Sequence, residues 1–572
     1  MRPSHYSGPG RHSGRRVMGR QGMVLAGWLM AGMAAAADVT VLSAARIHTG
    51  VPGRPAVEAM AWDREGRILA IGDRARLLRS HPSARRIELP DATVIPGLID
   101  GHAHLMNLGI ALLRADLAGT ADKAEVIARL RAFARNLPDG TWLLGRGWDQ
   151  NDWPEAAFPT AADLDAAFPD RPVWLERVDG HAGWANSAAL RAVGRDLSGD
   201  WQPEGGRILR GATGKPTGVL VDTAMALVDA VVPPPDRSMR EEALRRALAA
   251  AASHGLTGVH DMGVSLADLE LMRRFADQGL LKVRVRAYAD GAGAAMEALC
   301  AMGPYEHPGG RLSMRGVKFY VDGALGSRGA ALLADYSDEP GHRGLLITPP
   351  EAFQAAVQRA RDCGLQPASH AIGDRGVRVV LDTYARVLGD DAMRGNHRWR
   401  VEHAQVIARE DMPRFGELQL IASMQPTHAT SDMPWAGDRV GEARLQGAYA
   451  WRSLWGMGVV LALGSDFPVE SVDPRLGLYA AVTRQDTHGQ PPGGWRPQER
   501  LDLAEALKGF TWGAAYAAHD ELELGQLHPG YRADFVVLAA DPFAIDPTDL
   551  PRLPILSTWL DGKPTFTQPG SE

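Results

Sequence analysis

Cysteine is almost missing from these 572 residues: Cys300 and Cys363 are the only two. With no Cys-x-x-Cys spacing, a disulfide-stapled scaffold is excluded and a thiolate metal site is disfavoured. Both lie in helix-like stretches, "AAMEALCAMG" and "AAVQRARDCG", where buried free thiols are the expectation. Excess charge is scarce too: 62 Lys and Arg against 68 Asp and Glu leave a formal charge of −6. That balance gives no electrostatic reason to expect nucleic acid as a partner. Long apolar runs are missing except for "MVLAGWLMAGMAAAAD", about fifteen residues against the roughly twenty that a membrane span needs. It follows the basic stretch 11–20 and ends in an Ala-x-Ala exit, the pattern of a secretory signal. Residues 1–37 are therefore expected to be a signal cut near Ala36 or Ala37, on a periplasmic or secreted protein. Met18 and Met23 stand as alternative starts, and a disordered N-terminal extension is the competing reading. There is no internal repeat of 20–50 residues.

What is present is a soluble composition, 45% hydrophobic and 23% charged, with ample material for a core. From Asp38 to about Asp91, "ADVTVLSAARIHTG" and "AVEAMAWDREGRILAIG" alternate polar and apolar residues between glycines and prolines. "GQLHPGYRADFVVLAADP" and "ILSTWLDGKPTF" do the same near the C-terminus. These ends, 38–95 and 520–572, are expected to build one composite β-sandwich domain. Between them come eight short apolar strand candidates: "VIPGLIDGHAH", "TGVHDMG", "KVRVRAY", "VKFYVDG", "LQPASHA", "RWRVEHA", "LQLIASMQ" and "VVLALGSD". Helical patterns separate most of them, such as "SMREEALRRALAAAASHG", which opens on the capping-box spacing Ser238…Glu241 and closes at Gly255. Eight strands alternating with helices predict an α/β fold, a (β/α)8 TIM-like barrel over 96–519. A doubly wound sheet is the alternative, but no Gly-rich phosphate loop follows the first strand.

The largest insertion, about 112–235, follows the first strand and holds six of the 15 tryptophans, from Trp142 to Trp201. A cluster this dense beside a barrel mouth, Trp148 within it, suggests a pocket for an apolar or aromatic small molecule. A plain subdomain core is the competing account of each tryptophan.

Residues i and i+2 of a strand share a face, so His102 and His104 project together at the end of the first strand candidate. His370 ends the fifth, His403 the sixth and Asp466 the eighth, all where barrel enzymes collect their chemistry. A lone buried His or Asp there costs several kcal/mol unless paired or metal-bound. Four imidazoles and a carboxylate on four strand ends suit Zn²⁺ or a similar divalent ion. Lys318 sits among apolar residues of the fourth strand; pairing with Asp322 is one reading, and a buried neutral amine is the other.

The order His-x-His, Lys, His, His, Asp resembles the amidohydrolase superfamily. The phrases "PGLIDGHAH", "KFYVDGALGSRGA", "HAIGDRGV", "VEHAQ", "GSDFPV" and "GQLHPGYRADFVVL" resemble its family 3 branch, which includes N-substituted formamide deformylase. The resemblance, running from about Asp38 to the C-terminus, implies a metal centre in the barrel mouth. His102 and His104 would hold one ion with Asp466 nearby, and His370 and His403 a second. Lys318 would carry a carbamate from CO2 and bridge the two, with Zn²⁺ the expected metal. It implies hydrolysis of an amide or related C–N bond by metal-activated hydroxide, with Asp466 as proton shuttle. A deaminase, an esterase or lactonase of the same superfamily, and a non-catalytic binding or regulatory protein are the rivals.

His181 and Arg328 are further candidates for substrate contact, the latter through an anionic group. His260 is a candidate to support a ligand from behind, and Asp374 to cap a helix. The expected partner is a small molecule, with no membrane span, and the oligomeric state is left open, a homo-oligomer included.

Overall fold

The computed structural model describes residues 39–570 apart from 136, 139, 178–181, 204–205 and 395. The expected signal segment and His181 lie outside the described residues. Eight parallel strands form a nearly closed barrel: β1 (Leu98–Ala103), β2 (Leu256–Val264), β3 (Arg284–Asp290), β4 (Leu312–Tyr320), β5 (Gln366–Ala371), β6 (Arg400–His403), β7 (Ile421–Met424) and β8 (Val460–Leu463). Each matches a sequence candidate. Helices cover the outside, so the strands are buried on both faces and read as short apolar runs; every residue of β1, β6 and β7 is buried.

The barrel closes between β8 and β1, beyond the last ladder. The Asp466 N–H donates to the His102 carbonyl at 2.7 Å and the His104 N–H to the Phe467 carbonyl at 2.9 Å. Glycine permits that approach. A Cβ on Gly464 would stand 2.5 Å from the His102 nitrogen, and one on Gly101 2.8 Å from the Leu463 carbonyl oxygen. This seam sets Asp466 against the two histidines of the first strand end.

Strands from both ends of the described chain form one seven-stranded sheet. Its order is Lys563–Thr567, Ile555–Leu560, Phe535–Leu538, Arg85–Pro96, Val39–Ile47, Val57–Asp63 and Ile68–Gly72. Phe535 stacks on Trp559 at 5.2 Å on one face, and Val41, Ala59, Ala61 and Leu77 cluster separately. Arg284, 4% exposed at the start of β3, pairs with Asp534 and Asp561 and ties this sheet to the barrel. The insertion carries its own six-stranded sheet, from Ala115–Asp116 to Gly206–Arg210.

Two expectations are corrected here. Cys300 and Cys363 are not free thiols but form a disulfide across 63 residues, joining the ends of helices Ala294–Met302 and Pro350–Asp362. Helix Arg237–Ser253 is capped by Asp236, whose carboxylate accepts from the Met239 N–H; Ser238 donates to that carboxylate, and Glu241 pairs with Arg237. Asp236 takes the capping role because its side chain reaches the free N–H groups from two residues earlier.

Candidate metal centre

His102 is fully buried at the end of β1. Its Nδ1 lies 2.6 Å from Glu402 Oε2, which leaves Nε2 facing the barrel mouth, 3.0 Å from Lys318 Nζ and 3.5 Å from Asp466 Oδ1. His104 turns the strand into helix Leu105–Ala111; its Nδ1 meets the Met262 carbonyl at 2.8 Å and its Nε2 lies 3.0 Å from Asp466 Oδ1. In both rings one nitrogen is committed to a protein partner, which fixes the other for ligation, as metal-binding imidazoles require.

His403 follows the same rule, with Nδ1 2.9 Å from Gln425 Oε1. Its ring centroid stands 4.7 Å from that of His102 and 4.6 Å from that of His370. His403 and Asp466 hold φ of 69° and 63°, a left-handed backbone that is strained for these residues. Strain of this kind, about 1 kcal/mol or more, collects at functional sites because the surrounding structure imposes it.

The electrostatics favour ligands. Burial and the Lys318 ammonium pull His102 down to about 4 and His370 to about 3, so both rings are neutral near pH 7. Burial pushes Asp466 up, but the His102, His104 and His428 imidazoles outweigh it and hold the carboxyl well below the usual range. Burial lowers Lys318 to about 8, within reach of the neutral amine.

A metal ion fits these residues, on their own chemistry. His370 Nε2, His428 Nε2 and Asp466 Oδ1 are buried with no hydrogen-bond partner among the described residues, and orphaned buried polar atoms need an explanation. His104 Nε2 is close to Asp466 Oδ1 without hydrogen-bond alignment, as donors facing a common point are. Among the described residues, two triads have donors mutually within 4.8 Å: His102, His104 and Asp466, and His403, His428 and Asp466.

His428 was not anticipated. It sits one turn into helix Pro426–Asp432 beyond β7, whereas the strand-end signal marks only residues that close an apolar run. Glu402 and Arg400 were also missed as parts of the site. Arg400, fully buried, donates to both Glu402 oxygens at 2.7 and 3.0 Å, to the Gly101 carbonyl at 2.6 Å and to His260 Nδ1 at 2.8 Å. His260 therefore supports Arg400 rather than a ligand directly.

The remaining candidates are placed elsewhere. Asp322 does not pair with Lys318; its carboxylate accepts from the backbone of Ala331, Ile372 and Gly373. Arg328 is ion-paired with Asp338 and Glu339, so its charge is already answered within the protein. Asp374 is the first residue of helix Asp374–Leu388 rather than its cap, and accepts from the Leu333 N–H. Trp148 is fully buried in the insertion core, against Trp153 and Trp184 at 6.0 and 5.9 Å, with Nε1 donating to the Leu175 carbonyl. Packing explains its position.

A family model described as "Amidohydrolase family" matches residues 85–566. The chain belongs to the amidohydrolase family. The putative amidohydrolase YtcJ of Bacillus subtilis is 35% identical over 519 residues, covering 87% of this chain and 94% of that protein. The N-substituted formamide deformylase of Arthrobacter pascens is 28% identical over 527 residues, 88% of this chain and 94% of that one. The crystal structure of an uncharacterized metal-dependent hydrolase from Pyrococcus furiosus has a TM-score of 0.72 at 30% identity, covering 88% of this chain and 99% of that chain. As a member of this amidohydrolase family, the chain is a hydrolase.

Proposed function

We propose that this amidohydrolase cleaves an amide or related C–N bond of a small molecule at a divalent metal centre held by His102, His104, His370, His403, Asp466 and a carboxylated Lys318. The observation that carries the reading is the convergence of His102, His104 and His428 on Asp466. Zn²⁺ is the metal proposed, because imidazole nitrogens with a carboxylate suit it. Bound there, the cation supplies Lewis acidity toward a carbonyl and makes water a stronger acid. Lys318, lowered to about 8 by burial, loses its proton more readily than a free lysine, and its neutral form is the one that meets CO2. The N–C bond forms, one proton leaves, and a repelling cation becomes an anionic oxygen ligand.

Asp466, held anionic, takes the proton from the attacking water and passes it to the departing nitrogen. An amide needs that transfer because an amine anion leaves poorly. The deformylase relative supports an amide over other C–N bonds.

The test is a chelated protein reloaded with Zn²⁺ and offered N-alkyl and N-aryl formamides, the matched formate esters, and amino-heterocycles. Metal-dependent release of amine from the amides is expected. Release of ammonia from the heterocycles alone, or turnover indifferent to chelation, contradicts the reading.

Export is part of the same proposal. The Cys300–Cys363 bridge supports an oxidising compartment, in line with the basic-then-apolar start of the sequence. Thiol labelling under denaturing conditions should find no free cysteine in exported protein. Two reactive thiols there would contradict the assignment.

A further inference from the structure

His428 belongs to no part of the ligand set that motif order alone suggests, yet its surroundings leave a buried ring nitrogen unanswered. Its Nε2 is buried and has no hydrogen-bond partner among the described residues. The nearest carboxylate oxygen, Asp466 Oδ2, is 3.8 Å away, too far for a hydrogen bond. That spacing suits two donors of one ion: ligands at 2.0–2.1 Å from a tetrahedral zinc stand about 3.4 Å apart. The two histidines on the other side of Asp466 lie at comparable distances from Oδ1, 3.0 Å for His104 and 3.5 Å for His102.

The other acidic groups nearby are already engaged. Asp432 accepts from the Tyr449 hydroxyl and the Gln405 amide, and Glu470 from the Ser431 hydroxyl. The segment that carries His428 also carries Gln425, which holds His403 Nδ1 and leaves the other nitrogen of that ring free. The His403 and His428 rings lie nearly parallel, 12° apart with centroids at 5.9 Å. One stretch of chain after β7 thus orients one donor and supplies another.

We propose that His428 is a metal ligand, completing with His403 and Asp466 the second ion's site, and that Asp466 serves both ions, with Oδ1 toward His102 and His104 and Oδ2 toward His428, each oxygen keeping a second lone pair for the proton it shuttles. The assignment rests on the metal-centre reading above. It also limits the role of His428: a ring ligated through Nε2 cannot donate a proton from that atom to a leaving group.

Cobalt titration of the chelated full-length protein tests it without reference to turnover. Wild type, His428→Ala and His428→Asn are each titrated with Co²⁺. The readouts are ions retained per chain after gel filtration and the visible d–d absorption, which reports coordination. The variants are expected to lose one ion, or to bind it at least about tenfold more weakly, with a changed d–d band and an unchanged near-ultraviolet dichroism before metal is added. Should the Ala variant fail to fold, the Asn variant, closer in size and polarity, carries the comparison. Equal stoichiometry, affinity and spectrum in wild type and variant overturn the assignment and leave His428 available as a proton donor. Absence of cobalt binding in wild type itself overturns the metal-centre reading and this proposal with it.

Discussion

Asp466→Asn is expected to slow turnover of the amide substrate about a thousandfold or more, since a positioned general base is worth about 10²–10⁴. Asparagine keeps the shape and one oxygen but cannot accept the water proton or carry it to nitrogen. At about 1.4 kcal/mol per factor of ten, the loss corresponds to roughly 4 kcal/mol of transition-state stabilisation. The neighbours predict a second consequence. His102 and His104 stand 3.5 and 3.0 Å from Asp466 Oδ1, and a neutral amide there weakens the ion's hold. Metal content and kcat should therefore be measured on the same sample. A variant within tenfold of wild type at equal occupancy would refute the proton-shuttle role.

Arg400→Met is expected to destabilise the chelated protein by about 3–5 kcal/mol, the usual cost of stranding one partner of a buried ion pair. Arg400 and Glu402 are both fully buried, and the Glu402 carboxylate also receives His102 Nδ1 at 2.6 Å. Burial pushes Glu402 up, and Arg400 overcomes this to keep it well below the usual carboxylate range. Without the guanidinium, Glu402 takes up a proton and no longer holds His102 in the tautomer that exposes Nε2. The variant should therefore also bind metal more weakly. The double variant Arg400→Met/Glu402→Gln should recover much of the stability, because neither neutral partner leaves a bare charge, but not the metal affinity. Urea unfolding of the chelated proteins checks this; a loss below about 1 kcal/mol in the single variant would show that the pair is dispensable.

The barrel and most of its donors were legible because one physical rule governs both. Parallel strands buried on two faces are short apolar runs, and in this fold chemistry gathers where such runs end. His102, His104, His370, His403 and Asp466 all announce themselves that way. His428 does not, because it lies a helical turn past β7 and its partners come from β6 and from beyond β8. The Arg400–Glu402–His102 chain was equally hidden. Alternation in "RWRVEHA" places Arg400 and Glu402 on one face, but their partners, His260, Tyr288, Gly101 and Ser423, sit on four other strands. Cys300 and Cys363 were misread for the same reason: no local pattern reveals that two helix ends separated by 63 residues lie side by side. Trp148 shows the reverse error, in which one side chain looked like part of a binding wall and is packed inside the insertion core.

The most direct test is metal content per chain in protein purified without chelator and with bicarbonate, set beside Lys318→Ala. Lys318 Nζ lies 3.0 Å from His102 Nε2, so it is the amine the proposed carbamate would form on. The account predicts two ions per chain in the native protein and a clear fall in the variant. One ion per chain, unchanged by the substitution, would contradict the bridged centre.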